Sequence, residues 1–269
     1  LLGRAPVVFP VMLRRGASVG VEVPLVPATV VPDDFVYVPG GKFLYGSADP
    51  EPVRNSLSAE PEREVTVGSF LIARHEVTYA DFLTFLDALP EAERATVLAG
   101  PTGQGWGTAM LQTLPGGVWQ LELNQGNRTY KARRGELLTY EGRSTRPSVD
   151  WIRLPISGMS SKEAAAYLAW LDRSGRVPGA RFCSEHEWEY AARGADARRF
   201  AHGNLLAPEE ANVVQTYGRK PTAIGPDPVE SYPQSESPFG LFDTAGNVWE
   251  MVVSPHQHDV FVARGGSYF

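Results

Sequence analysis

Along this chain the apolar positions fall in short alternating runs broken by glycine and proline, with three longer stretches at helical spacing. Residues 6 to 25, PVVFPVMLRRGASVGVEVPL, set two β-branched runs on either side of Arg14-Arg15-Gly16-Ala17, the pattern of a hairpin with a glycine-containing turn. The proline-spaced stretch from Val26 to Pro32 favours extended backbone, so a boundary is expected near Asp33. Residues 1–32 then read as a β segment and linker, the tail of a preceding β module, and residues 33–269 as a domain of their own. From Phe35, FVYVPGGKFLYGS alternates around Pro39-Gly40-Gly41 and predicts a second hairpin, and VTVGSFLIARHEV predicts a further strand pair.

A helix is expected after Thr78, whose hydroxyl can cap it. Asp81 stands at the third helical position, and Phe82, Phe85, Leu86 and Leu89 recur at helical spacing before Pro90. Residues 98 to 150 are rich in glycine and carry short alternating pieces, GVWQLEL and TYKARRGELLTYEG, which suit hairpins on the surface. A second helix opens at Ser160 with Glu163 in capping-box spacing and runs through Tyr167, Leu168 and Leu171 to Gly175. A third opens the same way at Ser184 and Glu187 and carries Trp188, Tyr190 and Ala191 to Gly194. Short capped helices among many strands give an α+β class.

Composition changes this picture in three ways. Hydrophobic residues are 43% of the 269, enough for a sizeable core, while 27 Gly and 22 Pro point to a loop-rich fold. The net charge of −6 supplies no basic face, so nucleic acid is not an expected partner. No apolar run approaches the ~18 residues that cross a bilayer, which leaves a soluble protein without membrane insertion. The one cysteine, Cys183, excludes an internal disulfide and any multi-thiolate cluster in these residues. It fits a reducing compartment, the cytoplasm.

Separated segments then point to one family, in order: VYVPGGKFLYGS (36–47), SFLIARHEVTYADFLTFL (69–86), PISGMSSKEAAAYLAWL (155–171), RFCSEHEWEYAARG (181–194), FGLFDTAGNVWEM (239–251) and ARGGSYF (263–269). Together they resemble the formylglycine-generating enzyme (sulfatase-modifying factor) family. The resemblance implies a loop-rich α+β domain, a variant of the C-type lectin fold, often stabilised by calcium. It carries a calcium site onto Asn247 and Glu250, with carbonyls from Gly246 and Val248. These are the hard oxygen ligands that calcium takes, although the same stretch also reads as a capped turn around a core Trp249. A second calcium site is implied at Asn212 and Val213, where the acidic ligand is hard to align; Asp227, between Pro226 and Pro228, is the nearest candidate and departs from the family's pattern.

Family enzymes oxidise a target cysteine with copper held by two active-site cysteines downstream of the RGGS segment. Copper(I) requires such soft ligands, and here Arg264-Gly265-Gly266-Ser267 is followed only by Tyr268 and Phe269. Copper is therefore not expected in this chain, and the C-terminal segment of the domain is expected to be missing. Cys183 stands at a helix start, where a thiol's pKa can fall, but a small buried residue is the favoured reading. His256 and His258 alternate, with Asp259 beside them, a pattern open both to metal ligands and to a solvent-facing loop. His75, His186 and His202 lack the spacing of a helical zinc pair, and Glu185, Glu187 and Glu189 fit a helix start.

Three functions stay open. The first is a non-catalytic domain that binds a protein or small ligand through its loops, as a regulatory, sensory or display module of a larger bacterial protein such as a Ser/Thr kinase. The second is an oxidase of the formylglycine-generating kind whose catalytic cysteines lie outside these residues. The third is a retroelement-diversified variable binding protein.

Overall fold

A computed structural model describes residues 2–13, 15–98, 108–125, 128–257 and 259–269. Among them the chain forms five α-helices and eleven short strands arranged in small antiparallel sheets.

The first part of the domain is a long ribbon. Strand β1 (Phe35–Val38) is followed by β2 (Gly41–Tyr45), helix α1 (Glu51–Ser56), β3 (Arg63–Val67) and β4 (Phe70–Ala73). The expected hairpin across Pro39-Gly40-Gly41 does not form: β1 pairs with β4 and β2 with β3. The register carries unchanged from one ladder into the other, so two extended arms run antiparallel and are interrupted together at Gly40 and Gly68-Ser69. Pro39 has no N–H to donate there. Gly40 donates to Ser69 Oγ at 2.9 Å, and a Cβ at Gly40 would lie 2.8 Å from the Val67 carbonyl oxygen, so only glycine permits this approach. One face of the ribbon buries Val36, Val38, Phe43 and Tyr45 against Tyr190, Ala191, Phe239 and Leu241.

Helix α2 (Tyr79–Ala88) leads to α3 (Glu91–Leu98), then to a meander of β5 (Thr108–Leu114), β6 (Val118–Gln125) and β7 (Arg128–Arg133), and a small pair β8 (Leu137–Thr139) and β9 (Ser148–Asp150). The sequence pattern suggests a surface location for this region, yet the alternation in β6 buries Trp119, Leu121 and Leu123 completely. They meet Phe82, Leu83, Phe85 and Leu86 of α2, together with Trp151 and Tyr167. Alternation marks a face that needs cover; the sequence does not show that α2 supplies it.

Helices α4 (Ser161–Arg173) and α5 (Glu185–Arg193) start where expected. Thr78, Ser160 and Ser184 each accept from the N–H three residues on, while Asp81, Glu163 and Glu187 reach back to the cap N–H, completing three capping boxes. Strands β10 (Glu250–Val253) and β11 (Phe261–Arg264) close the chain. Trp188 of α5 packs with Ala192 and Val252.

The N-terminal residues depart from expectation. Outside an isolated bridge between Arg4 and Pro27, residues 5 to 26 contain no strand among those described; Arg14 lies outside the described residues. Ala5 donates to Val26 and Ala28 to Gly3, so the ends of the segment meet while its alternating runs stay unladdered and expose Val8, Leu13, Val19 and Val21. Alternation alone cannot make a hairpin whose turn leaves the two arms apart.

Candidate functional site

The stretch from Asp243 to Glu250 turns sharply because Asp243, Gly246 and Asn247 all adopt positive φ, a backbone that Asp, Asn and Gly tolerate better than other residues. Gly246 is required twice over: a Cβ there would sit 2.3 Å from the Asn212 carbonyl oxygen. The turn carries Asn247 into the interior, where it is almost wholly buried. Its N–H donates to the Asn212 carbonyl at 2.8 Å. Its Oδ1 accepts from Asn212 Nδ2 at 3.2 Å and from the Asp227 N–H at 2.9 Å. Its Nδ2 donates to Glu76 Oε1 at 3.2 Å and to the Asp227 carbonyl at 3.3 Å, and its carbonyl accepts from Tyr268. The two asparagines implied for two metals thus belong to one hydrogen-bonded knot, which ties Asn247 to Asn212, Asp227, Glu76 and Tyr268.

Around the knot lie three carboxyls that sequence reasoning did not group, Glu76 and Asp243 buried and Glu250 half-buried. Burial and the charges of Asp243 and Glu250 push Glu76 well above the usual carboxylate range, and its Oε2 has no hydrogen-bond partner. Burial raises Asp243 to about 6, although its Oδ2 accepts from the Glu230 N–H at 2.6 Å. Burial also raises Glu250 to about 7, opposed by a hydrogen bond from Trp188. Glu76 belongs to the stretch after β4 and Glu250 to β10; nothing in their spacing announces that they face one another.

Above Glu76 and Glu250 opens a cavity of about 740 Å³, walled by apolar side chains that include Ile156, Met159, Tyr167 and Met251. Cys183 lies in its wall. Burial, with Glu250 and Glu187 nearby, pushes this thiol up to about 12 and overrides the adjacent helix start. Trp249 is 61% exposed and also lines the cavity, contrary to its expected place in the core. The residue two positions from a buried asparagine shares neither its turn geometry nor its burial: the positive φ at Asn247 turns the amide inward and leaves the indole at the mouth.

The donors near Asn212 do not fit a calcium ion. The Val213 carbonyl accepts from Thr216, and Asn212 Nδ2 donates to the Gly225 carbonyl. Asp227 is fully buried and its carboxylate is saturated by Arg143, Tyr217 and Tyr232. At the other place the Asn247 oxygen is spent on two N–H groups, whereas Glu250 and the unpartnered Glu76 oxygen are hard donors with uncompensated burial, the chemistry that calcium satisfies. Among the described residues no group of three or more His, Cys, Asp or Glu is close enough to hold a metal.

The remaining candidates have local partners. His256 Nε2 lies 2.8 Å from Glu60 on the surface, and His258 lies outside the described residues. His202 pairs with Glu210. Glu187 caps α5, Glu189 pairs with Arg193 at 2.6 Å, and Glu185 meets Arg264, so the three glutamates serve the helix and its packing. No helix among the described residues is long and apolar enough to cross a membrane.

Residues 23–269 match the family described as sulfatase-modifying factor enzyme 1-like domain. The chain is 29% identical over 255 residues to the inactive Cα-formylglycine-generating enzyme 2 of Bos taurus, covering 87% of this chain and 76% of that one. It is 31% identical over 271 residues to the formylglycine-generating enzyme of Streptomyces coelicolor, covering 87% and 78%. A serine/threonine-protein kinase of Chlamydia caviae is 24% identical over 229 residues, which are 85% of this chain but 29% of the kinase.

Proposed function

Because this chain belongs to the sulfatase-modifying factor, or formylglycine-generating enzyme, family, we propose that its 269 residues act as a non-catalytic recognition module, a C-type-lectin variant that binds a protein or small ligand at the cavity and the loops around it. The observation that carries this reading is the state of the thiol. Cys183 is the one cysteine of the sequence, and burial beside two carboxylates keeps it protonated. A protonated, recessed thiol is a poor nucleophile, and a single sulfur supplies only one of the soft ligands that the family's copper takes as a pair. The mouth instead offers what recognition uses, an exposed indole over an apolar hollow.

The relative from Bos taurus that bears the word inactive in its name supports the same reading, and the similarity to part of a kinase suggests a host of that kind, in the cytoplasm of a bacterium. The boundary near Asp33 belongs to this proposal as well. Calcium enters as a structural ion: Glu250, with the carbonyls of Gly246 and Val248, would hold it, and its charge would compensate the buried carboxyls. A second reading, oxidation of a cysteine thiol, is favoured by the likeness to the Streptomyces enzyme and requires thiols from outside these residues.

Copper(I) titration separates the two for this chain. The recognition reading expects no stoichiometric thiolate complex, and a tight one-to-one complex lost in Cys183→Ala would contradict it.

A further inference from the structure

The segment that the family resemblance links to a second calcium ion closes around a cation of the chain's own, supplied by another segment. Arg143 sits in the turn between β8 and β9, and its side chain is completely buried. Its Nε donates to the Ala223 carbonyl at 2.8 Å, its Nη2 to the Gly225 carbonyl at 2.6 Å, and its Nη1 to Asp227 Oδ1 at 2.6 Å. The guanidinium carbon lies 3.6 Å from the centroid of the Tyr140 ring and 4.2 Å from that of Tyr217. Two backbone carbonyls and a carboxylate converging on one positive centre are the donor set of a hard cation. A planar, permanently charged guanidinium meets the same set with directed N–H bonds and presents its faces to aromatic rings.

The approach is specific to this turn. Gly142 donates to the Thr222 carbonyl, and a Cβ on Gly142 would fall 2.0 Å from Thr222 Oγ1, so glycine brings the backbone close enough for residue 143 to reach the carbonyls. The same Gly225 carbonyl also accepts from Asn212 Nδ2, which ties the guanidinium to the Asn212 and Asn247 knot. Removing the guanidinium takes its bond from the Ala223 carbonyl and leaves the buried Asp227 carboxylate with two tyrosine hydroxyls and only the more distant Arg146, 3.9 Å away, to offset its charge.

We propose that Arg143 is a built-in counter-cation that locks the 211–227 loop in place of calcium, so that this loop is held without metal, whatever ion Glu250 takes. Truncating the side chain then leaves an oxygen-lined hole that accepts a free guanidinium ion.

The test compares the Glu250→Gln chain, which removes the other calcium ligand, with the Glu250→Gln, Arg143→Ala double variant. The melting temperature of the first is expected to be the same in calcium and in chelator. The double variant is expected to melt lower and to be restored in part by millimolar guanidinium chloride, where equal sodium chloride does nothing and the parent gains nothing. Equal responses to guanidinium in both would overturn the proposal. Should the double variant fail to fold, crystals of Glu250→Gln grown in calcium decide: no ion at Asn212, Val213 or Asp227 supports the built-in cation, and calcium bound to any of them overturns it.

Discussion

At the scale of single residues, the two tryptophans of similar motifs part company. Trp188 is buried against Ala192 and Val252, and Trp249 stands at the cavity mouth. Trp188→Ala is expected to destabilise by about 3–5 kcal/mol, the range for truncating a buried large side chain. Trp249→Ala should stay within about 0.5 kcal/mol, as surface changes do; urea unfolding of both variants checks the contrast, and equal losses would refute it. The carboxyls make a prediction of the opposite kind. Glu76, Asp243 and Glu250 have folded pKa values raised above their unfolded ones, so the folded state holds more protons between the two. Their contribution is therefore greatest below the ordinary carboxylate range and is lost as pH rises through about 6 to 7. In chelator, stability should fall over that window, and calcium should flatten the fall if Glu250 binds it. A chelator profile that rises from pH 5 to 7 would refute the raised pKa values. Glycine, asparagine and glutamate at 246, 247 and 250 were legible in the sequence as a special turn. Glu76 and Arg143 were not, since each acts on partners 80 or more residues away, a distance that spacing does not encode.

At the scale of elements, helices were easier to read than strand pairing. Each cap is local: a hydroxyl, a carboxyl three residues later and an apolar stripe suffice to place α2, α4 and α5. Thr78→Ala, Ser160→Ala and Ser184→Ala should each cost about 0.5–2 kcal/mol by loss of the cap, measurable in chemical denaturation. Short α1 and α3 lack such signatures of start and apolar face, and their periodicity is weak. Strand partners are chosen at long range. The alternation of residues 35 to 45 predicts two strands but not that both pair with residues 63 to 73 beyond α1. The ribbon yields its own test. Gly40→Ala should destabilise strongly because three backbone atoms of residues 67–69 lie within 2.9 Å of the added carbon, whereas Gly68→Ala meets nothing within 4 Å and should be mild. Thermal melts of the pair check this, and the reverse order would overturn the interrupted-ribbon description.

At the scale of the whole molecule, two larger cores share the labour, beside a small third around Trp188. One is built by α2, α4 and the β5–β7 meander, the other by the ribbon and α5, and the Asn247 knot with the Arg143 turn joins the loops between them. Family membership was readable from ordered motifs because those motifs are the caps, turns and core contacts that build this arrangement. What the molecule does was less readable, since recognition is written in the shape of a cavity whose walls come from six separated segments. The central claim is that these 269 residues recognise rather than oxidise. Its most direct test is to incubate the chain aerobically with copper(I) and a cysteine-containing peptide and to follow the thiol by mass spectrometry. Recovery of the peptide without aldehyde is the predicted result; repeated conversion of thiol to aldehyde by this chain would contradict it.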